Sequence, residues 1–415
     1  MTVIGIAAEF NPFHNGHLFL LKTAREKYPD SACICVMSGN FVQRGQPALC
    51  DKWARAEMAL HGGADLVIEL PFCFAVRSAN YFAAGVLELM ARLEVVTHLL
   101  FGSECGQMKF LEPIASELFP ETSAFKSYLR HYLSLGLNFP SARAQALQAY
   151  LDAPDLKEIL QGPNNILALE YLRILKEKNL SIVPLTIPLK KNFSDGFENR
   201  PYSKASAIRN ELISGSPLTY FSQNLLPLPL FSSGIIQREI RMGRAPVLPH
   251  AFEQAIMIKL RSLKPPELRK INDINEGLEH RILKAAHSCG DLDMIRKKIK
   301  SKRYNMTKID RLLLYILFSL SKEQIKIFDQ TGPSYIHVLA FSSKGKEILR
   351  TIKNRARLPV ISRGQDIKAL LKYGGPVSQM LALDVRAGDY YALAAPSPEA
   401  RSGGRDYNTA PAQIY

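Results

Sequence analysis

A chain of 415 residues is long enough for two or three domains and a sizeable core, which excludes a small stapled scaffold. Its 53 Lys and Arg against 38 Asp and Glu leave a net charge of +15 and favour a polyanionic partner or an acidic surface, a choice that charge alone does not make. The six cysteines (Cys33, Cys35, Cys50, Cys73, Cys105, Cys289) form no CxxC pair and no disulfide or zinc spacing, no apolar run is long enough to span a bilayer, and no basic segment precedes the first apolar stretch. The expectation is a soluble, unprocessed cytoplasmic protein with reduced thiols.

In chain order, Val3 to Ala8 predicts a strand and Leu18 to Lys27 a helix. The turn between them, Glu9-Phe10-Asn11-Pro12-Phe13-His14-Asn15-Gly16-His17, brings a helix N-terminus to a strand end, where free N–H groups and the helix dipole favour phosphate. With Asn15 as the cap, His14 and His17 converge on the opening turn, and Gly16 leaves room for close approach. The spacing HxGH resembles the signature of the class I nucleotidyltransferases, whose histidines donate hydrogen bonds to nucleotide phosphates. Four residues alone read more readily as a helix cap with two half-exposed histidines; the placement after the first strand favours phosphate. Zinc is a weaker alternative, because Cys33 and Cys35 share one strand face that reads as buried core.

Ala32 to Met37 predicts a second strand, followed by a loop, Ser38 to Gly45, that reads equally as ordinary surface or as substrate-facing through Gln43 and Arg44. A helix from about Asp51 to His61, a strand Asp65 to Leu70, a helix Ser78 to Arg92 and a strand Thr97 to Phe101 follow. This alternation predicts βαβ units, hence an α/β fold with a parallel sheet covered on both faces and ligands at the strand ends. After Phe101, Gly102 reads either as a simple turn or as bare backbone against a base or ribose. Lys109 to Gln161 is mostly helical, with periodic segments at Ala124 to Leu135 and Ala142 to Leu151. Gly162-Pro163-Asn164-Asn165 precedes a helix, Ile166 to Lys178, its asparagines serving as caps or as nucleotide ligands.

Ser181 to Ile187 predicts a further strand, and a polar loop, Lys190 to Pro201, leads to a helix opened by Tyr202-Ser203-Lys204-Ala205-Ser206-Ala207-Ile208-Arg209. Ser206 and Arg209 fit the Ser/Thr and Arg element that class I nucleotidyltransferases use on the β- and γ-phosphates; a capped helix with a solvated Arg is the plainer alternative. Proline and glycine between Gly215 and Leu230 mark a boundary. Beyond it, Gly234 to Met242, Pro249 to Leu263, Ile274 to Ser288, Asp291 to Lys300 and Thr307 to Leu320 read as helices, the last capped by Thr307. Six cations between Arg296 and Arg303, beside Tyr304, read as a solvated helix face or as RNA-backbone contact. Tyr335 to Phe341, Gly345 to Lys353 and Leu358 to Ser362 suggest a small α/β element, and the polar tail from Pro396 is expected to be loosely held. The implied division is 1–215, 216–330, 331–395 and a tail, 396–415.

Taken together, GIAAEFNPFHNGH, MSGNFVQRG, DLVIELPF, FGSE, GPNNILALEYL, SKASAIR and SKRYNMTKIDRLLLYIL closely resemble the bacterial tRNA(Met) cytidine acetate ligases over most of the chain. The resemblance implies a Rossmann-like nucleotidyltransferase domain, a mainly helical second domain that binds tRNA, and the small C-terminal α/β element. It implies an enzyme that uses ATP, with Mg²⁺, and acetate to make acetyl-adenylate, then acetylates the wobble cytidine of elongator tRNA(Met) to N4-acetylcytidine. A small-molecule adenylyltransferase of the HxGH class is the alternative. The implied catalytic residues are His14, His17, Ser206 and Arg209. The implied ATP site takes in Ala7, Ala8, Glu9, Phe10, Asn11, Pro12, Phe13, His14, Asn15, Gly16, His17, Leu18, Phe19 and Leu20, with Gly102, Asn165 and Ser203; no protein metal ligand is implied. Where the family usually has an arginine after this strand, the chain has Pro188-Leu189-Lys190-Lys191, which makes Lys190 the candidate for that contact.

Overall fold

The computed structural model describes residues 1–152, 156–189, 205–214, 227–275 and 277–414. The α/β body begins with β1 (Val3–Ala8), α1 (Asn15–Lys27), β2 (Ala32–Ser38), a hairpin of β3 (Phe41–Val42) and β4 (Gln46–Pro47), α2 (Lys52–His61) and β5 (Leu66–Leu70). It continues through α3 (Phe72–Ala75), α4 (Ala79–Arg92) and β6 (His98–Ser103) into four helices, α5 (Met108–Glu117), α6 (Ser123–Ser134), α7 (Phe139–Tyr150) and α8 (Leu156–Gln161). Then come α9 (Pro163–Glu177), β7 (Val183–Pro188) and α10 (Ala205–Ser214).

Five of these strands form a parallel sheet in the order β5-β2-β1-β6-β7, as the alternation predicts. The chain winds outward from β1 to β5, then crosses back to β6, so the order reverses beside β1, and the end of β1 is where such a sheet binds ligands. Period-two alternation decides which side chain enters which layer. Ala32, Ile34 and Val36 join the core under α4 and α9, while Cys33, Cys35 and Met37 join the core under α1 and α2. Cys33 and Cys35 are fully buried free thiols, as the core reading expects.

Beyond β7 the structure departs from several expectations. The strand of the C-terminal segment, β8 (Ile336–Ser342), is no part of a separate element: it pairs antiparallel with β5 and extends the main sheet. Its outer edge is shared by β9 (Val360–Ile361) and β10 (Ala412–Ile414), both parallel to it. The tail is therefore not loosely held: β10 is laddered into the sheet, and Asp406 is buried in an ion pair with Lys52. A long helix, Gly375–Leu393, covers this end, with Tyr391 Oη donating to Ala48 O at 2.8 Å.

The helices Glu253–Ser262, Leu278–Ser288, Leu292–Ile299 and Met306–Leu317 pack around Ile256, Leu260, Ile282, Ile295, Ile309 and Leu313. Asn305 rather than Thr307 caps the last of them, its Oδ1 accepting the Lys308 N–H at 2.9 Å. That helix docks on the α/β body through Tyr315 Oη to Val76 O, 2.6 Å, and beside the hairpin at Gly45. Much of the segment expected to hold the boundary, and the loop from Lys190 to Pro201, lie outside the described residues.

Candidate active site

The turn after β1 is built by groups that consume its polar atoms one by one. Arg55, fully buried on α2, makes no hydrogen bond to a carboxylate among the described residues; it donates instead to the carbonyls of Glu9 (2.5 Å), Ser38 (3.1 Å), Cys50 (3.0 Å) and Gly39. It thereby ties the ends of β1 and β2 together. Asn11, also buried, accepts the Leu49 N–H at 2.8 Å, and Glu9 accepts the Gln43 N–H at 2.8 Å. Phe10 takes a left-handed φ of 46°, a costly conformation for an aromatic residue, with its ring buried against Phe13 (4.9 Å) and against the edge of His17 (4.9 Å).

The helix that follows begins earlier than its apolar period suggests, at Asn15, and its N-cap is His14, not Asn15. An imidazole nitrogen can accept as a carboxamide oxygen does. His14 Nδ1 accepts the Gly16 N–H at 3.1 Å, and His17 Nδ1 accepts the His14 N–H at 3.2 Å, which makes a reciprocal capping box of two histidines. The two rings stack at 3.8 Å between centroids. Because each Nδ1 is an acceptor, each neutral ring carries its proton on Nε2. Burial depresses both pKa values: His14 falls to about 4, helped by the Arg209 charge, and His17 falls well below 6.5, helped by His14. At neutral pH the opening turn therefore presents two uncharged Nε2–H donors.

Arg209 arrives from α10, which Ile208 and Leu212 anchor in the core under α1. Its Nη1 donates to Asn11 O at 2.7 Å, so the guanidinium is held against the same turn. Burial lowers its pKa, Glu9 opposes that and Arg44 adds to it. His14, His17 and Arg209 are thus brought together, with half-buried Ser206 three residues before Arg209 on α10. Lys190 and Ser203 lie outside the described residues.

Gly102 and Asn165 stand on the other side of β1. The parallel register of Ile4 with His98 sets Gly102 level with Ala8 at the sheet edge. A Cβ at Gly102 would lie 2.5 Å from Leu189 Cδ2, so the missing side chain makes room for Leu189. Asn164 and Asn165 do not cap α9, which starts at Pro163 after Gly162. Glu104 does that work, accepting the N–H of Asn164 (3.1 Å) and of Asn165 (2.7 Å), while Asn165 Oδ1 accepts the Cys105 N–H at 3.2 Å.

Sequence reasoning missed Lys52, Arg55 and Glu104. The readable signal for the first two was a pair of cations, one turn apart, inside the apolar helix Lys52–His61. Lys52 is buried between Glu69 (2.7 Å) and Asp406, with His337 Nδ1 2.6 Å from Glu69. Glu69, His337 and Asp406 are the one group of potential metal ligands among the described residues, and the Lys52 ammonium already supplies the cation there. The basic run divides: Arg296 is held by Asp310 (2.7 Å) and Asp293 (2.6 Å), whereas Lys297, Lys298, Lys300, Lys302 and Arg303 are exposed. No helix among the described residues is long and apolar enough to cross a membrane.

Comparison with known proteins agrees with this geometry. Residues 1–406 match the family described as HIGH Nucleotidyl Transferase. The tRNA(Met) cytidine acetate ligase of Syntrophomonas wolfei is 50% identical over 99% of both chains, and that of Halothermothrix orenii is 39% identical over 98% of both. The crystal structure of Thermotoga maritima TmcAL bound with alpha-thio ATP is 34% identical and superposes over the whole of both chains with a TM-score of 0.90. A Rossmann-like sheet, paired imidazoles at its switch point and full-length similarity agree, and the chain belongs to the HIGH nucleotidyl transferase family, among its tRNA(Met) cytidine acetate ligases.

Proposed function

We propose that the protein uses ATP to activate acetate as acetyl-adenylate and passes the acetyl group to the wobble cytidine of elongator tRNA(Met), giving N4-acetylcytidine in the cytoplasm. The observation that carries the reading is the pair of neutral Nε2–H donors of His14 and His17, fixed by their own backbone beside Arg209. Acetate has no good leaving group. Attack of its carboxylate oxygen on the α-phosphorus supplies one, provided that the charge developing on the phosphates meets preorganised donors. His14 and His17 act there, and Arg209, with Ser206 at the start of α10, takes the phosphates beyond.

In the second step the cytidine N4 attacks the acetyl carbon, AMP departs with the bonding electrons and the nitrogen loses a proton. The turn also fits a magnesium ion carried by ATP rather than caged by the protein. Its carboxylate, Glu9, has one oxygen taken by Gln43 N–H and the other is the group that would meet the metal. When bound, the ion supplies charge neutralisation on the phosphates. The exposed cations from Lys297 to Arg303 support an RNA face on the helical segment.

Acetate-dependent exchange of labelled pyrophosphate into ATP tests the first step. Mass spectrometry of nucleosides from elongator tRNA(Met) incubated with ATP and labelled acetate tests the second. Labelled N4-acetylcytidine is the expected product; its absence from tRNA, or exchange that ignores acetate, overturns the reading.

A further inference from the structure

The hairpin β3–β4 is more elaborately fixed than a surface loop needs. Phe41 and Val42 are buried, Gly45 N donates to Val42 O at 2.9 Å and Ala48 N to Asn40 O at 2.9 Å, which closes the turn. Gly45 has φ 78° and sits on the helix Met306–Leu317 so closely that a Cβ would lie 2.6 Å from the Asp310 carbonyl carbon. At the other side the Gln43 N–H is bonded to Glu9. This scaffold holds one exposed side chain at its tip, Arg44, which pairs with no carboxylate or carbonyl among the described residues.

Two guanidinium-bearing residues thus attach to one turn. Arg44 follows the residue bonded to Glu9, and Arg209 is bonded to Asn11, two positions on. The charge of Arg44 is felt at Arg209, whose pKa it helps to lower, and like charges repel unless an anion lies between them. Glu9 brings a single negative charge to this turn against the two guanidinium groups. The local excess is positive, at the end of the clamp that Arg209 assigns to the phosphates leaving the reaction.

We infer that Arg44 is a further phosphate ligand of the adenylation step, meeting the pyrophosphate end of ATP together with Arg209. The inference rests on the acetate-activating reading and adds a residue to it. As the acetate oxygen bonds to the α-phosphorus, the bond from that phosphorus to the bridging oxygen breaks, and its electron pair moves onto pyrophosphate. A guanidinium there stabilises the charge as it accumulates.

The second half-reaction contains no pyrophosphate, so the two steps separate this role from an RNA contact. The full-length Arg44→Gln protein is to be assayed for acetate-dependent exchange and, separately, for acetyl transfer to tRNA from supplied acetyl-adenylate. Exchange is expected to fall roughly 10- to 100-fold more than transfer, with a raised KM for pyrophosphate, and Arg44→Lys is expected to recover part of it. Transfer lost with exchange intact makes Arg44 an RNA contact and overturns the inference. Both activities unchanged make it solvated surface and also overturn it. Wild-type protein without acetate-dependent exchange would strike at the activating reading instead.

Discussion

The proposed function gives His17 a second job beside capping, and one pair of substitutions separates the two. Its Nδ1 accepts the His14 N–H at 3.2 Å at the third position of α1, and its Nε2–H is the donor assigned to the nucleotide. His17→Ala removes both, together with a ring packed at 4.9 Å from Phe10 and 5.5 Å from Phe13. Losing one preorganised donor costs roughly 10²- to 10³-fold in rate, about 3–4 kcal/mol, and losing a cap about 1 kcal/mol of stability. His17→Gln keeps the cap, because glutamine at this position of a capping box accepts the same N–H through its side-chain oxygen. Acetate-dependent pyrophosphate exchange is expected to fall ~10²- to 10³-fold in both variants with the KM for ATP little changed. Urea unfolding is expected to show a loss of about 1–2 kcal/mol in His17→Ala and under ~0.5 kcal/mol in His17→Gln. Exchange in His17→Gln within about fivefold of wild type would refute the donor assignment and leave His17 as a cap alone.

Three further outcomes follow from the geometry. Because Lys52 is buried between Glu69 and Asp406, Lys52→Met is expected to lower stability by roughly 3–5 kcal/mol in denaturant unfolding, and a change under ~1 kcal/mol would contradict the ion-pair account. At Gly45, Gly45→Ala meets both φ 78° and the Asp310 backbone; a destabilisation above about 1 kcal/mol is expected in the same assay, and an unchanged midpoint would show that the hairpin is not seated on that helix. For His14 the folded pKa lies near 4 against 6.5 unfolded, so the unfolded chain takes up the proton first as pH falls. Its stability contribution is complete above pH 6.5 and is lost between 6.5 and about 4, up to roughly 3 kcal/mol. Nitrogen NMR of the free protein is expected to show the Nε2–H form titrating near pH 4; an Nδ1–H form, or a midpoint near 6.5, would remove the basis for two neutral donors.

The parts legible in the sequence were those whose signal is local. Short apolar runs at Val3–Ala8 and Ala32–Met37, separated by helical periods, announced the parallel sheet, and the HxGH spacing pointed to the end of its first strand as the candidate site. The antiparallel joining of Ile336–Ser342 to Leu66–Leu70 was not legible, since an apolar strand carries no address for a partner so far along the chain. Tail residues from Pro396 onward looked polar and free, yet Asp406 is buried because Lys52 waits for it in the core. Cap preferences misled at both helix starts of the site. Asparagine is the statistical favourite, but His14 caps α1 and Glu104, from another loop, serves α9. Lys52 and Arg55 were passed over for the same reason: a cation reads as surface until its acceptors, here two carboxylates and four backbone carbonyls, are seen to converge.

That convergence also explains why the opening turn of α1 uses histidines. Ammonium groups at positions 14 and 17 would stand beside Arg209 in a half-buried place, and each would bind ATP and departing pyrophosphate with nearly equal strength, which raises affinity without lowering the barrier. A neutral imidazole adds a directional N–H without adding charge, and its direction is set before substrate arrives, since Nδ1 of each ring is tied to the backbone of the turn itself. The fixed charge is left to Arg209, which the Asn11 carbonyl holds at 2.7 Å. The burial that depresses the histidine pKa values fits the proposed function in the same way: it keeps the donors uncharged at neutral pH, so that in the proposed reaction the electrostatic pull on the phosphates would come from the arginine and the discrimination for the developing charge from the two oriented Nε2–H groups.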